Sequence, residues 1–480
     1  MSGSIWNSES SRAWHAGRRD AQNFRNANDP MRGQPVPQER QIRRRQPPRS
    51  SEAVRDPRGI YRCLPGDPSS FALEKIANHE NLALIWQRLR ALGGPAPGVD
   101  GLTFDRSLSE VFKLLRNTSQ AIRSRRYVPA PTRPVRVKKP TGGYRTLELP
   151  SIIDRDVGAA LVESLRVVLM GRLPRHYGSG ASCHAILARM KIYAEDHGWN
   201  WLGVDDIQNF YPSIPRALAM DCFMREADRW NVPGLALVQQ GIPWLIRQLI
   251  YGNEQESRTV GLSQGSTFSP LAASLVLLEV LDSVMDNRAE NRTIMHRHVD
   301  NIHIQGLDRS EVRSAMEGAQ SILLQHGMRL KDGNAQPIDV RRTTDQTILG
   351  VTTRWKNDRL LFDIPNVTWK RLEERLYETT TGSGTDNARS VIWGFIAAFR
   401  PTFGVKADNT ADRIHSLMQR GGTYRIRKDT ISERITTARL KWETELEHIR
   451  NPQTIQLPEQ YQIELSEWDT EPWDGITAPF

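Results

Sequence analysis

Cysteine is scarce: the 480 residues hold three, Cys63, Cys183 and Cys222, far apart and without a CxxC spacing. That argues against a disulfide framework or a cysteine-based zinc cluster, and it fits a reducing, cytoplasmic setting. No apolar run approaches the roughly 18 residues that announce a membrane span, and the N-terminus is arginine-rich rather than signal-like. Acidic residues are in deficit, 55 against 65 Lys and Arg, which leaves a formal charge of +10 and favours a polyanionic partner. No internal repeat is evident. The length suffices for a sizeable core divided into two or three subdomains.

What is present changes character along the chain. Residues 1–58 are rich in Arg, Gln, Asn, Ser and Pro and poor in aliphatics, densest at Arg43-Arg44-Arg45. Such a stretch cannot bury enough apolar surface to order itself. It is either a solvated tail or an arm that clamps RNA phosphates and orders on binding. Leu82, Ile85, Trp86, Leu89 and Leu92 then recur at three and four, predicting an amphipathic helix stopped by Gly93-Gly94. A second helix is expected from about Ser107 to Arg123, and Tyr127 to Pro131 must be extended because of its prolines. Val135 to Pro150 reads as a hairpin turning at Pro140-Thr141-Gly142-Gly143. Asp154 is expected to cap a helix whose buried face carries Val157, Leu161, Leu165 and Val168.

Three stretches carry candidate chemistry. Trp199 to Ile207 is a strand candidate ending in Asp205 and Asp206. Gln264-Gly265 precedes Ser269-Pro270, where serine as N-cap and proline in the first turn should open a helix, apolar nearly all round from Leu271 to Met285. Met295 to Ile304 holds two β-prone runs around Asp300-Asn301, a pair that favours a tight turn and would lift a carboxylate to a hairpin tip. His296, His298 and His303 line these runs. A zinc reading lacks a nearby cysteine, so they are taken as strand-lining histidines. Further on, a helix over about Ser310 to His326, a short strand Thr347 to Val351 and a helical remainder beyond Pro365 are expected. There Thr430 and Glu433 form a capping box ahead of Ile431, Ile435, Ala438, Trp442 and Leu446. Residues 451–480 contain six acids and no Lys or Arg.

Taken in this order, the three stretches resemble the palm of a reverse transcriptase. From about Phe71 to Trp355 the chain is similar to bacterial reverse transcriptases, above all the group II intron-encoded and related defence-associated lineages. Lys139 to Arg145 resembles the fingers of those enzymes. Asp206-Ile207-Gln208-Asn209-Phe210-Tyr211 resembles the first catalytic motif, and Gln264-Gly265 with Ser269-Pro270 the second. His298-Val299-Asp300-Asn301 stands where the family has Tyr-x-Asp-Asp, and Leu349-Gly350 fits the primer-grip strand.

The resemblance implies an α+β, right-handed polymerase: a flexible basic arm over 1–58, fingers and an antiparallel-sheet palm over 59–355, a helical thumb over 356–450 and an acidic tail over 451–480. It implies RNA-directed DNA synthesis with two Mg²⁺ ions, Mn²⁺ being an alternative, on an RNA template with a nucleic-acid primer and dNTPs. A dedicated noncoding RNA or a role in phage defence is further implied, with no membrane and the oligomeric state open. Asp206 and Asp300 would bridge the metals with the Ile207 carbonyl as a further ligand, because Mg²⁺ takes hard oxygen donors and keeps several waters. Lys139 and Arg145 would hold the triphosphate. Tyr211 would crowd a 2′-hydroxyl, while Gln264 and Gly265 would contact nucleotide and template. Asp205 is expected to be a solvated neighbour whose loss is mild.

The chain departs from the family pattern at three points. Asn301 replaces the second aspartate, His298 replaces Tyr, and Ala335-Gln336 stands where a Lys-Thr is usual, leaving Lys331 as the substitute cation. A catalytically weak polymerase-fold scaffold and an RNA-dependent RNA polymerase are the rival functions. No nuclease or zinc region is seen after the thumb, so self-contained intron mobility is not expected.

Overall fold

The apolar spacing around Leu82 to Leu92 gives helix α1, His79–Leu92, which packs against α2, Leu108–Arg123, and α3, Ile152–Met170. The computed structural model describes residues 55, 59–92, 96–104, 108–138, 143–170, 182–230, 232, 234–252, 258–288, 292–333, 335–342, 346–380, 385–404, 407–421 and 426–451. The basic arm apart from Arg55, Gly93-Gly94, Lys139 with the Pro140–Gly142 turn, and the acidic stretch after Asn451 lie outside the described residues. The cap of α3 is Ser151 rather than Asp154, since the Asp154 N–H donates to Ser151 Oγ at 3.0 Å. Asp154 instead accepts from Tyr127 Oη (2.7 Å), the Ala130 N–H (3.0 Å) and Ser151 Oγ (2.7 Å), tying the extended segment to α3. Strands β1, Arg133–Lys138, and β2, Tyr144–Leu149, form the expected antiparallel hairpin, with Val137 opposite Arg145.

The central unit comprises α4, Cys183–Asp196; β3, Trp201–Asp206; α5, Arg216–Arg229; α6, Ser269–Leu277; β4, Thr293–His298; β5, Asn301–Gly306; α7, Arg309–Gln325; and β6, Ile338–Asp339. Its strands form one antiparallel sheet in the order β4-β5-β3-β6. Side chains alternate between its faces. A Cβ on Gly203 would meet Met316 of α7, whereas His296 and Gln305 face α4, where Gln305 Nε2 donates to the Met190 carbonyl at 2.9 Å.

Several boundaries differ from expectation. Helix α6 begins at Ser269 with Phe268 as N-cap, so Pro270 is in the first turn as anticipated but the serine is inside the helix. The helix is buried nearly all round and continues through one π turn, Leu278–Asp282, which periodicity does not reveal. The β4–β5 turn is Val299-Asp300, closed by the pair His298↔Asn301, so it sits one residue before the Asp-Asn pair. The strand expected over Thr347 to Val351 is two: β7, Thr347–Ile348, turns at Leu349 (φ +47°) and Gly350 (φ +85°) into β8, Val351–Lys356, which pairs with β9, Arg359–Asp363.

Helices α8, Asn366–Thr380, α9, Thr385–Ala398, α10, Ala407–Arg420, and α11, Lys428–Arg450, complete the chain. Arg427 is the N-cap of α11, so Thr430 and Glu433 lie within it and make no capping box, while Ile431, Ile435, Ala438 and Trp442 are buried as read. Two large cores result. One gathers residues between Ile60 and Leu330; the other joins Ile186, Leu187 and Met190 of α4 to β8, β9 and α8–α11. Among the described residues no helix is long and apolar enough to cross a membrane.

Candidate active site

Strand register brings the paired acids of the sequence to one place. Asp206 ends β3 opposite Asn301 of β5, and the Ile207 N–H donates to the Asp300 carbonyl at 2.9 Å. The two carboxylates, ninety-odd positions apart in sequence, therefore stand at the same end of the sheet. Burial raises the Asp300 carboxyl to about 6; the charge of Asp206 adds to the rise, while its own backbone hydrogen bond, Arg297 and Arg145 oppose it. The Asp206 carboxyl is also raised by burial, against the opposing pull of Lys331. Lys331 stands at the same point: its N–H donates to the Asp206 carbonyl at 2.8 Å and its Nζ lies 3.4 Å from Asp206 Oδ2.

The Asp300 turn is held from behind. Arg297 makes a bidentate, fully buried pair with Asp282, Nε to Oδ1 at 2.8 Å and Nη2 to Oδ2 at 2.5 Å, and its Nη1 donates to the Val299 carbonyl at 2.8 Å. Asp282 closes the π turn of the α6 helix. Val299 sits at φ +57°, a left-handed conformation that strains a β-branched residue by roughly 1–3 kcal/mol and persists only where the surroundings enforce it. The Asn301 amide donates to Asp300 Oδ1 at 3.2 Å and reaches the His298 carbonyl at 3.4 Å.

Of the other expected contributors, Arg145 and Tyr211 lie near enough to Asp300 to feel its charge. Arg145 of β2 is half-buried, and burial lowers its pKa while Asp300 supports its charge. Lys139 lies outside the described residues. The phenol of Tyr211 is pushed up by burial, with the Asp300 charge adding, and the Tyr211 carbonyl accepts from the Leu262 N–H at 2.9 Å. Gln264 is tied to the hairpin, its carbonyl accepting from the Glu148 N–H at 2.9 Å. Gly265 follows at φ +138°; a Cβ there would come within 2.8 Å of the Glu148 carbonyl, so close approach to β2 by itself demands glycine.

Asp205 is not solvated. It is 6% exposed, and its carboxylate accepts from the N–H groups of Asp206 (2.8 Å), Asp332 (3.2 Å) and Gly333 (3.0 Å). The histidines line the sheet: His296 Nε2 is 3.3 Å from Gln305 Oε1, and His298 Nε2 is 3.3 Å from Cys183 Sγ. Among the described residues, no group of three or more His, Cys, Asp or Glu side chains is arranged to hold a metal. A cation at the turn would rest on the Asp206 and Asp300 carboxylates and neutral oxygens. The donor set suits a hard divalent ion, since it consists of carboxylate and carbonyl oxygens.

Residues 137–336, which contain all of these groups from β2 to Lys331, match the family Reverse transcriptase (RNA-dependent DNA polymerase). That stretch is similar to the reverse transcriptase family. The chain is 23% identical over 231 residues to the COX1/OXI3 intron 2 protein of Saccharomyces cerevisiae; the match takes in 46% of this chain and 25% of that protein, so the chain spans about a quarter of that relative's length. Among solved structures, telomerase from Candida albicans in complex with a TWJ fragment of telomeric RNA has a TM-score of 0.36 at 12% identity, covering 76% of this chain and 71% of that one. Sicinivirus RNA-dependent RNA polymerase has a TM-score of 0.40 at 13% identity, covering 62% and 64%.

The β4-β5-β3-β6 sheet lies within the matched residues but for β6, and the expected α+β class with an antiparallel sheet is the one observed. Sequence reasoning did not single out Arg297, Asp282 or the anchoring function of Asp205. Arg297 was hidden between two more conspicuous histidines. Asp282 and Asp332 carry no local signal, because the partners that give them meaning are 15 and 127 positions away.

Proposed function

We propose that this chain is an RNA-directed DNA polymerase that uses two Mg²⁺ ions, which the Asp206 and Asp300 carboxylates and the Ile207 carbonyl would hold. The observation that supports it is the β3–β5 register, which pairs Asp206 with Asn301 and brings the Ile207 N–H to the Asp300 carbonyl, near enough to Arg145 and Tyr211 for both to feel the Asp300 charge. Bound metal would lower the pKa of the primer 3′-hydroxyl and neutralise the departing pyrophosphate. The protein's own share is positioning and charge. Arg145 and Lys139 hold the triphosphate. Lys331 supplies the cation that the usual Lys-Thr would have given. Tyr211 sits beside Asp300 as the steric gate against ribose, and Gln264 and Gly265 border the nucleotide and template. Arg136 stacked over the exposed Tyr144 ring, 4.6 Å from its centroid, gives the hairpin a cationic aromatic surface suited to nucleic acid.

One observation favours a second reading, a polymerase-fold RNA-binding scaffold with weak catalysis. Asn301 contributes a donor to Asp300 where the family has a charge, which leaves the site one carboxylate short. Primer extension on an RNA template, with dNTPs and with NTPs, separates the functions. DNA synthesis by the wild type and none by Asp300→Ala supports the reverse transcriptase. Extension with NTPs supports an RNA polymerase instead, and RNA binding without either product supports the scaffold. Membership of the bacterial lineages, a dedicated noncoding RNA and a role in phage defence rest on family analogy; sequencing the nucleic acid that co-purifies with the protein tests them.

A further inference from the structure

The site contains one carboxylate that touches no substrate position and yet shapes the active surface. We infer that Asp205 is a positioning residue that fixes Lys331 beside the catalytic carboxylates, an inference that rests on the polymerase reading above. Successive strand residues point to opposite faces, so Asp205 cannot join Asp206 at the metal position. Its two oxygens are turned to backbone: Oδ1 accepts from Asp206 and Asp332, and Oδ2 from Gly333. The turn so held is the one that follows Lys331, with Gly333 at φ +61°.

Upstream, the same segment is paired to the end of β3. The Gln208 N–H donates to the Arg329 carbonyl at 2.9 Å, and Leu330 bridges Ile207 while its N–H donates to Gln320 Oε1 at 2.7 Å. Lys331 is therefore the last residue before the chain turns away. Its side chain is 49% exposed, so packing does not orient it. What orients it is the backbone on either side: the Asp206 carbonyl grips its N–H, and the Asp205 carboxylate grips the next two. A carboxylate accepting several backbone N–H groups makes charge-assisted bonds about twice as strong as neutral ones. The usual Lys-Thr is missing downstream, and an acid next to Asp206 holds a substitute lysine at the site from a turn 125 positions further on.

Two measurements on the full chain test this. In hydrogen exchange, Asp205→Ala should speed exchange across 331–333 while β3 and β5 stay protected, and Asp205→Asn, which keeps one accepting oxygen, should fall between Ala and wild type. In single-nucleotide incorporation, Asp205→Ala should slow the maximal rate by about tenfold with dNTP affinity changed by less than about twofold, the pattern of an interaction made in the transition state. Lys331→Ala should lose about as much, and the double variant no more than either single. Rates that multiply in the double variant, or unchanged exchange over 331–333 in Asp205→Ala, overturn the inference. If the wild type makes no DNA but Asp205→Ala loosens 331–333, the polymerase reading fails while the clamp stands.

Discussion

At the scale of single residues, the proposed chemistry turns on Asn301 and Asp300. Burial gives the folded chain an Asp300 that keeps its proton up to about 6, whereas the unfolded chain releases it near the ordinary carboxylate value. Without metal, the stability from this group is present at low pH and is lost as pH rises from about 4 through 6. A divalent ion needs the ionised form, so its binding strengthens over the same window. Mn²⁺ titration by calorimetry should show affinity climbing by up to about tenfold per pH unit below 6 and levelling off above it; a flat profile from pH 5 to 8 would count against Asp300 as a ligand. Asn301→Asp replaces a donor on Asp300 by a second negative charge. It should lower the melting temperature in EDTA, tighten Mn²⁺ binding and raise the polymerisation rate. Weaker metal binding than wild type would mean the amide is the better partner. Asp154 shows that a residue's type is easier to read than its partner: it reads as a helix-start residue, yet Ser151 is the cap and Asp154 accepts from Tyr127 instead.

At the scale of elements, the β4–β5 hairpin is held in a strained shape by Asp282 at the end of the α6 π turn. Arg297 and Asp282 are fully buried and bidentate, and the same guanidinium grips the Val299 carbonyl. Removing one member of such a pair leaves an uncompensated charge and typically costs about 3–5 kcal/mol. Asp282→Ala should destabilise by that order in denaturant melts, and should also abolish DNA synthesis, because Val299 would relax out of φ +57° and carry Asp300 with it. Val299→Gly accepts that conformation without strain, and in the wild-type background it should leave synthesis intact while changing stability by less than about 1 kcal/mol. Loss of synthesis in Val299→Gly with stability unchanged would show that the side chain, not the backbone shape, matters.

At the scale of the whole molecule, α4 unites the four-stranded sheet and the helical C-terminal half. Its inner face packs in the second core, and it is bonded there by His184 Nε2 to the Ala398 carbonyl (2.9 Å), by Lys191 Nζ to the Leu360 carbonyl (2.6 Å) and by Asp196 to Arg450 (2.9 Å). A chain ending at 355 would keep the whole reverse transcriptase match yet expose Ile186, Leu187 and Met190. Such a piece should aggregate or bind a hydrophobic dye far more than the full chain does. A well-behaved monomer with an undiminished melting temperature would show that the two cores are independent. Leu349 illustrates the same limit on a smaller scale: its apolar run reads as strand, and only the pairing of β7 with β8 turns it into a bend.

The sequence by itself determined the helices with clean 3.6-residue spacing, the two hairpins, the buried α6 and the identity of the paired acids, because these depend on periodicity and turn preference within about twenty positions. Only the tertiary structure decided that Asp206 meets Asp300, that Asp205 serves the backbone around Lys331, that Arg297 braces Val299 and that α4 belongs to the second core. Those facts follow from strand register and long-range packing, where one residue of slip changes every neighbour, and no local preference encodes them.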